Sequence, residues 1–159
     1  MNSISYYRLI LRESMNVLTD FAEYIYREII HTNDEITPEA LDWKPVKEAN
    51  SIHWILTHQT RIAYLLIPQV IIDTYNPDGW DDDYQEKPHT LEELIKDQKK
   101  AREKVLPMID GLSDEDLNKE IMIWGKMRPK KEPIFALLGE LMHHNGQIAM
   151  LKGIKKRSK

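Results

Sequence analysis

The stretch PIFALLGELMHHNGQIAMLKG, residues 133–153, sets the character of this chain. Proline is favoured at the first positions of a helix and glycine just past its end, so Pro133 and Gly153 bracket one long helix. Within it Glu140 and His144 are four residues apart, and Gln147 continues the row three residues on. That spacing puts the three side chains on one helix face, one turn apart. A carboxylate and an imidazole so placed, with Cβ atoms roughly 5–6 Å apart, can share one metal ion through bonds of about 2.0–2.2 Å.

Working outward, residues 3–31 read as a first long helix. Ile4, Tyr7, Leu11, Met15, Leu18, Ala22, Ile25 and Ile29 recur at three- and four-residue spacing. Residues 32–49 connect, with Thr37 as cap and Pro38 opening a short helical turn. Asn50 or Ser51 caps a second helix running to about Asp73, in which Pro68 marks a kink or the last stretch. Residues 75–89, YNPDGWDDDYQEKPH, are loop by composition. Thr90 and Glu93 form a capping box opening a third helix to about Ile109, weakened by Pro107 and closed by Gly111. Ser113 to about Leu117 is another short capped turn. Glu120–Trp124 reads as an extended piece, followed by a turn at Gly125 and a basic run to Lys131. Neither an internal repeat nor a domain-splitting linker is present. The expectation is therefore one all-α domain over residues 1–159, a four-helix bundle with long connecting loops. Loops of that length often cover a site, so a substrate or partner should enter there.

Composition narrows the function classes. Apolar residues make up 42% and charged residues 30%, which fits a globular chain rather than a disordered or membrane-spanning one. The longest apolar run, Ile62 to Ile72, is interrupted by Pro68 and Gln69 and is too short for a bilayer. The first residues, MNSISYYRLILRES, hold no apolar core long enough for a signal peptide. With no cysteine, the chain has no disulfide framework, no thiolate metal site and no Cys nucleophile, which fits a reducing cytoplasm. The basic cluster Lys152, Lys155, Lys156, Arg157 and Lys159 reads as a solvated helix end that complements the helix dipole. A net charge of −4 speaks against a nucleic-acid partner. Phosphate-loop, GxSxG and HExxH patterns are absent, so nucleotide hydrolysis, serine esterase and zincin chemistry have no support.

Two ligands on one helix rarely hold a metal alone. The best third candidate is His58, in the middle of WILTHQTRI (54–62), on a row with Ile55, Ile62 and Leu65 that should face the interior. His58, Glu140 and His144 would leave a position open for water or substrate, as a catalytic metal requires. The carboxylate admits zinc, nickel, manganese or iron. Spacing alone does not separate this reading from a bland one. Glu and His four residues apart are common solvated neighbours, and a lone mid-helix His is more often simply packed.

The segment LDWKPVKEANSIHWILTH (41–58), with its Pro, short gap, Ser-Ile and Trp-x-Leu-x-His, resembles the first signature of the DinB-like (YfiT-like) family of metalloenzymes. The segment HHNGQI (143–148) resembles the second. The resemblance implies a four-helix bundle that binds one divalent metal through three residues. In the family these are usually histidines, one on the second helix and two four residues apart on the last. The matching positions are His58, Glu140 and His144, so this chain departs from the pattern at Glu140. Glu is a competent ligand and favours harder ions; the same change is also what a decaying site would show. The resemblance further implies a metal-dependent transferase using a low-molecular-weight thiol, or a hydrolase, acting on a small-molecule substrate. The alternative is a non-enzymatic stress-response binding or scaffold protein with a structural or vestigial site. Bundles of this family often pair, and Tyr6, Tyr7 and Ile10 offer an apolar surface for a homodimer.

The other polar candidates read more plainly. His143 is turned about 100° from His144 and leaves the ligand row, for a structural or supporting role. His53 is a surface or packing residue, and His31 and His89 are solvated. Gln147 is placed either to hydrogen-bond a ligand or to join two helices. Trp54 should pack on the site or the core, and Trp124 should anchor its loop or, less readily, wall a pocket. Arg61, Lys126 and Arg128 could meet an anionic substrate but as lone basic residues read as solvated, and the run Asp81–Asp83 reads as a solvated loop rather than a second metal site.

Overall fold

The computed structural model describes residues 17–79 and 82–158. The first helix, α1 (Val17–Asp34), buries Leu18, Ala22, Ile25, Tyr26, Ile29 and Asn33 on one face, the expected periodicity. Its expected earlier part, and with it Tyr6, Tyr7 and Ile10, lies outside the described residues. The short α2 (Pro38–Leu41) follows. Thr37 stands at its cap position in extended backbone but makes no side-chain cap bond, so Pro38 alone marks its start.

The second long helix has three parts: α3 (Ile52–Arg61), a π-helical turn (Ile62–Leu66) and α4 (Ile67–Ile71). Ser51, not Asn50, is the cap; its Oγ accepts the Trp54 N–H at 3.2 Å. Pro68 has no N–H to donate, and its ring crowds the carbonyl four residues back. The chain accommodates it by widening one turn, with the Ile67 N–H reaching the Ile62 carbonyl five residues away. The helix then stops at Ile71, just before Asp73 turns left-handed at φ 58°.

The capping box predicted at Thr90 and Glu93 opens α5 (Leu91–Asp110), which carries Pro107 within its last turn. A second box, Ser113 with Asp116, opens α6 (Asp114–Asn118). The all-α expectation needs one correction. Glu120–Ile123 (β1) pairs antiparallel with Lys126–Pro129 (β2), Ile123 opposite Lys126. Trp124 and Gly125 join the strands with φ 52° and 71°, the doubly left-handed turn that matches hairpin twist. The extended piece was legible; its partner was hidden in a run of basic residues. Ile121 and Ile123 point inward and extend the core.

The last helix, α7 (Lys131–Arg157), exceeds its expected bounds at both ends. Pro133 sits inside the first turn, where N–H groups have no partner within the helix, so it interrupts nothing. Gly153 does not end the helix. The Arg157 guanidinium lies over it, 3.3 Å from where a Cβ would stand. The basic end is also less solvated than expected. Lys152 donates to the Thr32 carbonyl at 2.7 Å and to Glu35 at 2.8 Å, and Lys155 donates to the Glu39 carbonyl. These lysines tie α7 to the C-terminal end of α1 and to α2.

The described residues are thus mostly helical with one small hairpin. Helix α1 packs on α5 and α7, and α3 packs on the same two. Two apolar clusters fill the interior. One gathers Ile25, Ile29, Ile62, Ala101, Ile134 and Leu141; the other gathers Ile36, Ile52, Leu56, Leu94, Ile148 and Leu151. Helices α1, α3 and α5 contribute buried polar residues to one hydrogen-bonded layer. Asn33, Gln59, Thr60 and Gln98 are fully buried there. Asn33 Nδ2 donates to Gln59 Oε1 (3.1 Å) and Gln98 Oε1 (2.8 Å), while Gln98 Nε2 donates to Gln59 Oε1 (3.0 Å) and Thr60 Oγ1 (3.1 Å). Among the described residues no helix is long and apolar enough to cross a membrane.

Removing one member of that layer strands the others away from water. Gln98→Leu should lower stability by about 1–3 kcal/mol. Lys99→Ala, next to it but exposed in a 3.6 Å pair with Asp34, should cost less than about 1 kcal/mol. Urea midpoints of the two variants against wild type check this, and equal shifts would contradict it.

Candidate metal centre

At the level of the polar layer, α3 and α7 face each other. Gln59 Nε2 donates to the Leu141 carbonyl at 3.0 Å, joining the residue after His58 to the residue after Glu140. The three side chains singled out in the sequence meet here. His58 Nε2 is 3.5 Å from Glu140 Oε1, and His144 Nε2 is 3.6 Å from the same oxygen. Their ligand-type atoms all lie within 4.8 Å of one another. The His58 and His144 rings stand edge to face, centroids 4.8 Å apart.

Their surroundings are unequal. His144 is buried, His58 partly so, and Glu140 is 45% exposed at its side chain. The cluster is therefore closed on the core side and open on the side of Glu140. Trp54, one turn before His58, stacks on its ring at 5.4 Å between centroids, so the sequence reading of Trp54 resolves to the site. Gln147 bridges two histidines: its Oε1 is 2.9 Å from His144 Nδ1, and its Nε2 is 3.0 Å from His143 Nε2. His143, exposed and off the row, supports the cluster without joining it.

Charge explains the protonation states. The imidazoles of His144 and His58 beside Glu140 hold its carboxyl down at about 2, against the burial that would raise it. Burial works against a charged His144, yet Glu140 and Gln147 outweigh it and raise the imidazole above its ordinary value. The separations of 3.5 and 3.6 Å are longer than a good hydrogen bond, so the contacts are electrostatic and are ion pairs only where an imidazole is protonated.

The donor set suits a divalent cation. Ligand atoms on a tetrahedral ion stand about 3.4 Å apart for bonds near 2.1 Å, close to both Glu140 separations. His144 Nε2 is buried without a hydrogen-bond partner. A buried polar atom left unpaired is costly, and a cation between it and Glu140 would pair it.

Several plainer readings change. Arg61, one turn after His58, is not solvated. It makes a two-pronged pair with Asp82 at 2.8–3.0 Å, which pins the 75–89 loop to the helix. Asp82 therefore leaves the solvated run, whereas Asp83 pairs at the surface with Lys87. His89 stacks on Tyr84, centroids 4.2 Å apart, and its carbonyl meets His53 Nε2 at 2.8 Å. His53 also meets Asp42, at 3.0 Å, so it packs as expected. The amide layer beneath the site had no sequence signal beyond polar residues inside apolar rows.

A mostly helical chain with a His-Glu-His cluster between two helices defines the class of protein. The family model of the DinB superfamily matches residues 23–148, a span that includes all three cluster residues, and the chain belongs to that superfamily. Its structure is similar to the crystal structure of YjoA, a DinB-like protein from Bacillus subtilis solved at 2.30 Å. The TM-score is 0.67 at 14% identity, over 87% of this chain and 91% of that one; at this identity the likeness concerns the fold. No curated protein matches the sequence.

In chelator-treated protein the depressed Glu140 carboxyl gives a pH signature. Its folded value, about 2, lies below the ordinary 4.5. The ionised form therefore favours the fold fully above the ordinary value, and that contribution fades as pH falls toward 2. An NMR titration of the Glu140 carboxyl should show a midpoint well below 4.5. Glu140→Gln should flatten the stability profile in that window, and a midpoint near 4.5 would refute the assignment.

Proposed function

We propose that this DinB-superfamily chain is a metal-dependent enzyme acting on a small molecule, a thiol S-transferase or a hydrolase. It would be built as a four-helix bundle around one divalent ion held by His58, Glu140 and His144. The observation that carries this is the buried Nε2 of His144, without a hydrogen-bond partner, in a cluster whose donor atoms lie within 4.8 Å of one another. Three protein ligands match catalytic metal sites, which keep a further position open, rather than structural sites, which are closed by a fourth. The exposed side of Glu140 is where that position would face.

Zinc, nickel, manganese or iron held there would supply Lewis acidity, lowering the pKa of a water or thiol near neutral pH. The chain's own residues do the rest. Two neutral imidazoles and one carboxylate leave a net positive centre with a divalent ion, suited to a nucleophile that ionises on arrival. The indole of Trp54 covers one face of His58 and offers an apolar wall beside the open side. With no cysteine in the chain, the nucleophile would come from solvent or from a low-molecular-weight thiol.

Elemental analysis of untagged protein tests the centre. Near-stoichiometric metal in wild type, lost in Glu140→Ala and His144→Ala, is expected. Zinc affinity should also fall as pH drops through the raised His144 value, because binding must displace that proton. Loaded protein should then show thiol transfer or hydrolysis across a small-molecule panel. No metal uptake from zinc, nickel or manganese would remove the enzyme reading and leave the scaffold one.

A further inference from the structure

We propose that Gln147 is a positioning residue that fixes the tautomer of His144, keeping the proton on Nδ1 and the Nε2 lone pair turned into the cluster. Its bearing on metal rests on the reading above; its bearing on the tautomer does not. Gln147 lies three residues after His144 and four after His143, so one helix face brings all three together. A neutral imidazole has one donor and one acceptor nitrogen, and the partner of one nitrogen decides the role of the other.

Gln147 presents both ends of its amide at once. Its Oε1, 2.9 Å from His144 Nδ1, accepts the proton carried there. Its NH2 donates to His143 Nε2 at 3.0 Å, which keeps the oxygen turned towards His144. The opposite arrangement would turn the amide over and move the His144 proton to Nε2. That N–H would stand on the face turned to Glu140, whose oxygen is 3.6 Å away, and would leave no lone pair there for a cation. An Nε2 lone pair at the same place is the form a cation can use. His143 thus acts through Gln147, at one remove from the cluster.

The test uses full-length, chelator-treated protein with 15N-labelled histidine, at a pH where His144 is neutral. Long-range 1H–15N spectra report which ring nitrogen bears the proton. Wild type should show Nδ1 protonated and Nε2 bare. Gln147→Ala, a helix-compatible surface change, should give a mixture of tautomers and bind zinc about 10–100-fold more weakly. Gln147→Glu keeps an acceptor at the same reach and should restore both the tautomer and the affinity. An Nε2-protonated wild type overturns the proposal. So does a Gln147→Ala variant that keeps the wild-type tautomer or the wild-type affinity. If wild type takes up neither zinc, nickel nor manganese, the metal reading fails, and the tautomer measurement alone decides for or against Gln147.

Discussion

The amide of Gln59 holds together what this site needs. It donates across the interface to the carbonyl of Leu141 and receives hydrogen bonds from Asn33 and Gln98, so α1, α3, α5 and α7 meet in one buried layer. Buried amides are costly to leave unpaired, and here their pairings join α1 to α3 and α5, α5 to α3, and α3 to α7. Apolar attraction has no direction of its own, whereas a broken buried amide pair cannot be made good by water. The register of α3 against α7 is therefore set by hydrogen bonds, and His58 and Glu140 each stand one residue from the atoms that set it.

Above that layer, one carboxylate faces two imidazoles. Glu140 lies partly in solvent, yet both rings favour its ionised form. His144, in turn, is buried enough to resist charge and is drawn towards it by the same carboxylate. An anionic oxygen between two ring nitrogens is an arrangement that a cation relieves. A third histidine at position 140 would place three neutral donors there without that attraction. The carboxylate thus changes the electrostatics of the cluster while keeping its reach.

The periphery serves the same geometry. The ion pair of Arg61 with Asp82 fastens the long loop after α4 one turn beyond His58. Tyr84 is buried from that loop against α5, with its hydroxyl on Asp97 at 3.0 Å. At the other end, Lys152 and Lys155 close α7 onto the carbonyls of α1 and the connector. Each of these charges looks solvated when read alone, because a sequence does not show which distant carbonyl or carboxylate it will meet.

Local order was legible in the residues themselves. Capping boxes at Thr90 and Ser113, the apolar periodicity of α1 and the i, i+4 spacing of Glu140 and His144 depend on neighbours within one turn, so sequence determines them. The signatures around His58 and His143–Ile148 pointed to the superfamily that the comparison then showed. Pairing between distant segments was not legible. The β2 strand hides among basic residues because its partner, not its composition, makes it a strand. Gly153 reads as a stop but is overrun, since Lys152 and Lys155 hold the flanking helix to other elements. Likewise the amide layer and the closeness of His58 to Glu140 exist only once four helices are packed. Sequence determined which faces could carry donors; tertiary structure decided that they meet, because contacts between residues 82 positions apart, such as Gln59 with Leu141, are fixed by packing and not by any local preference.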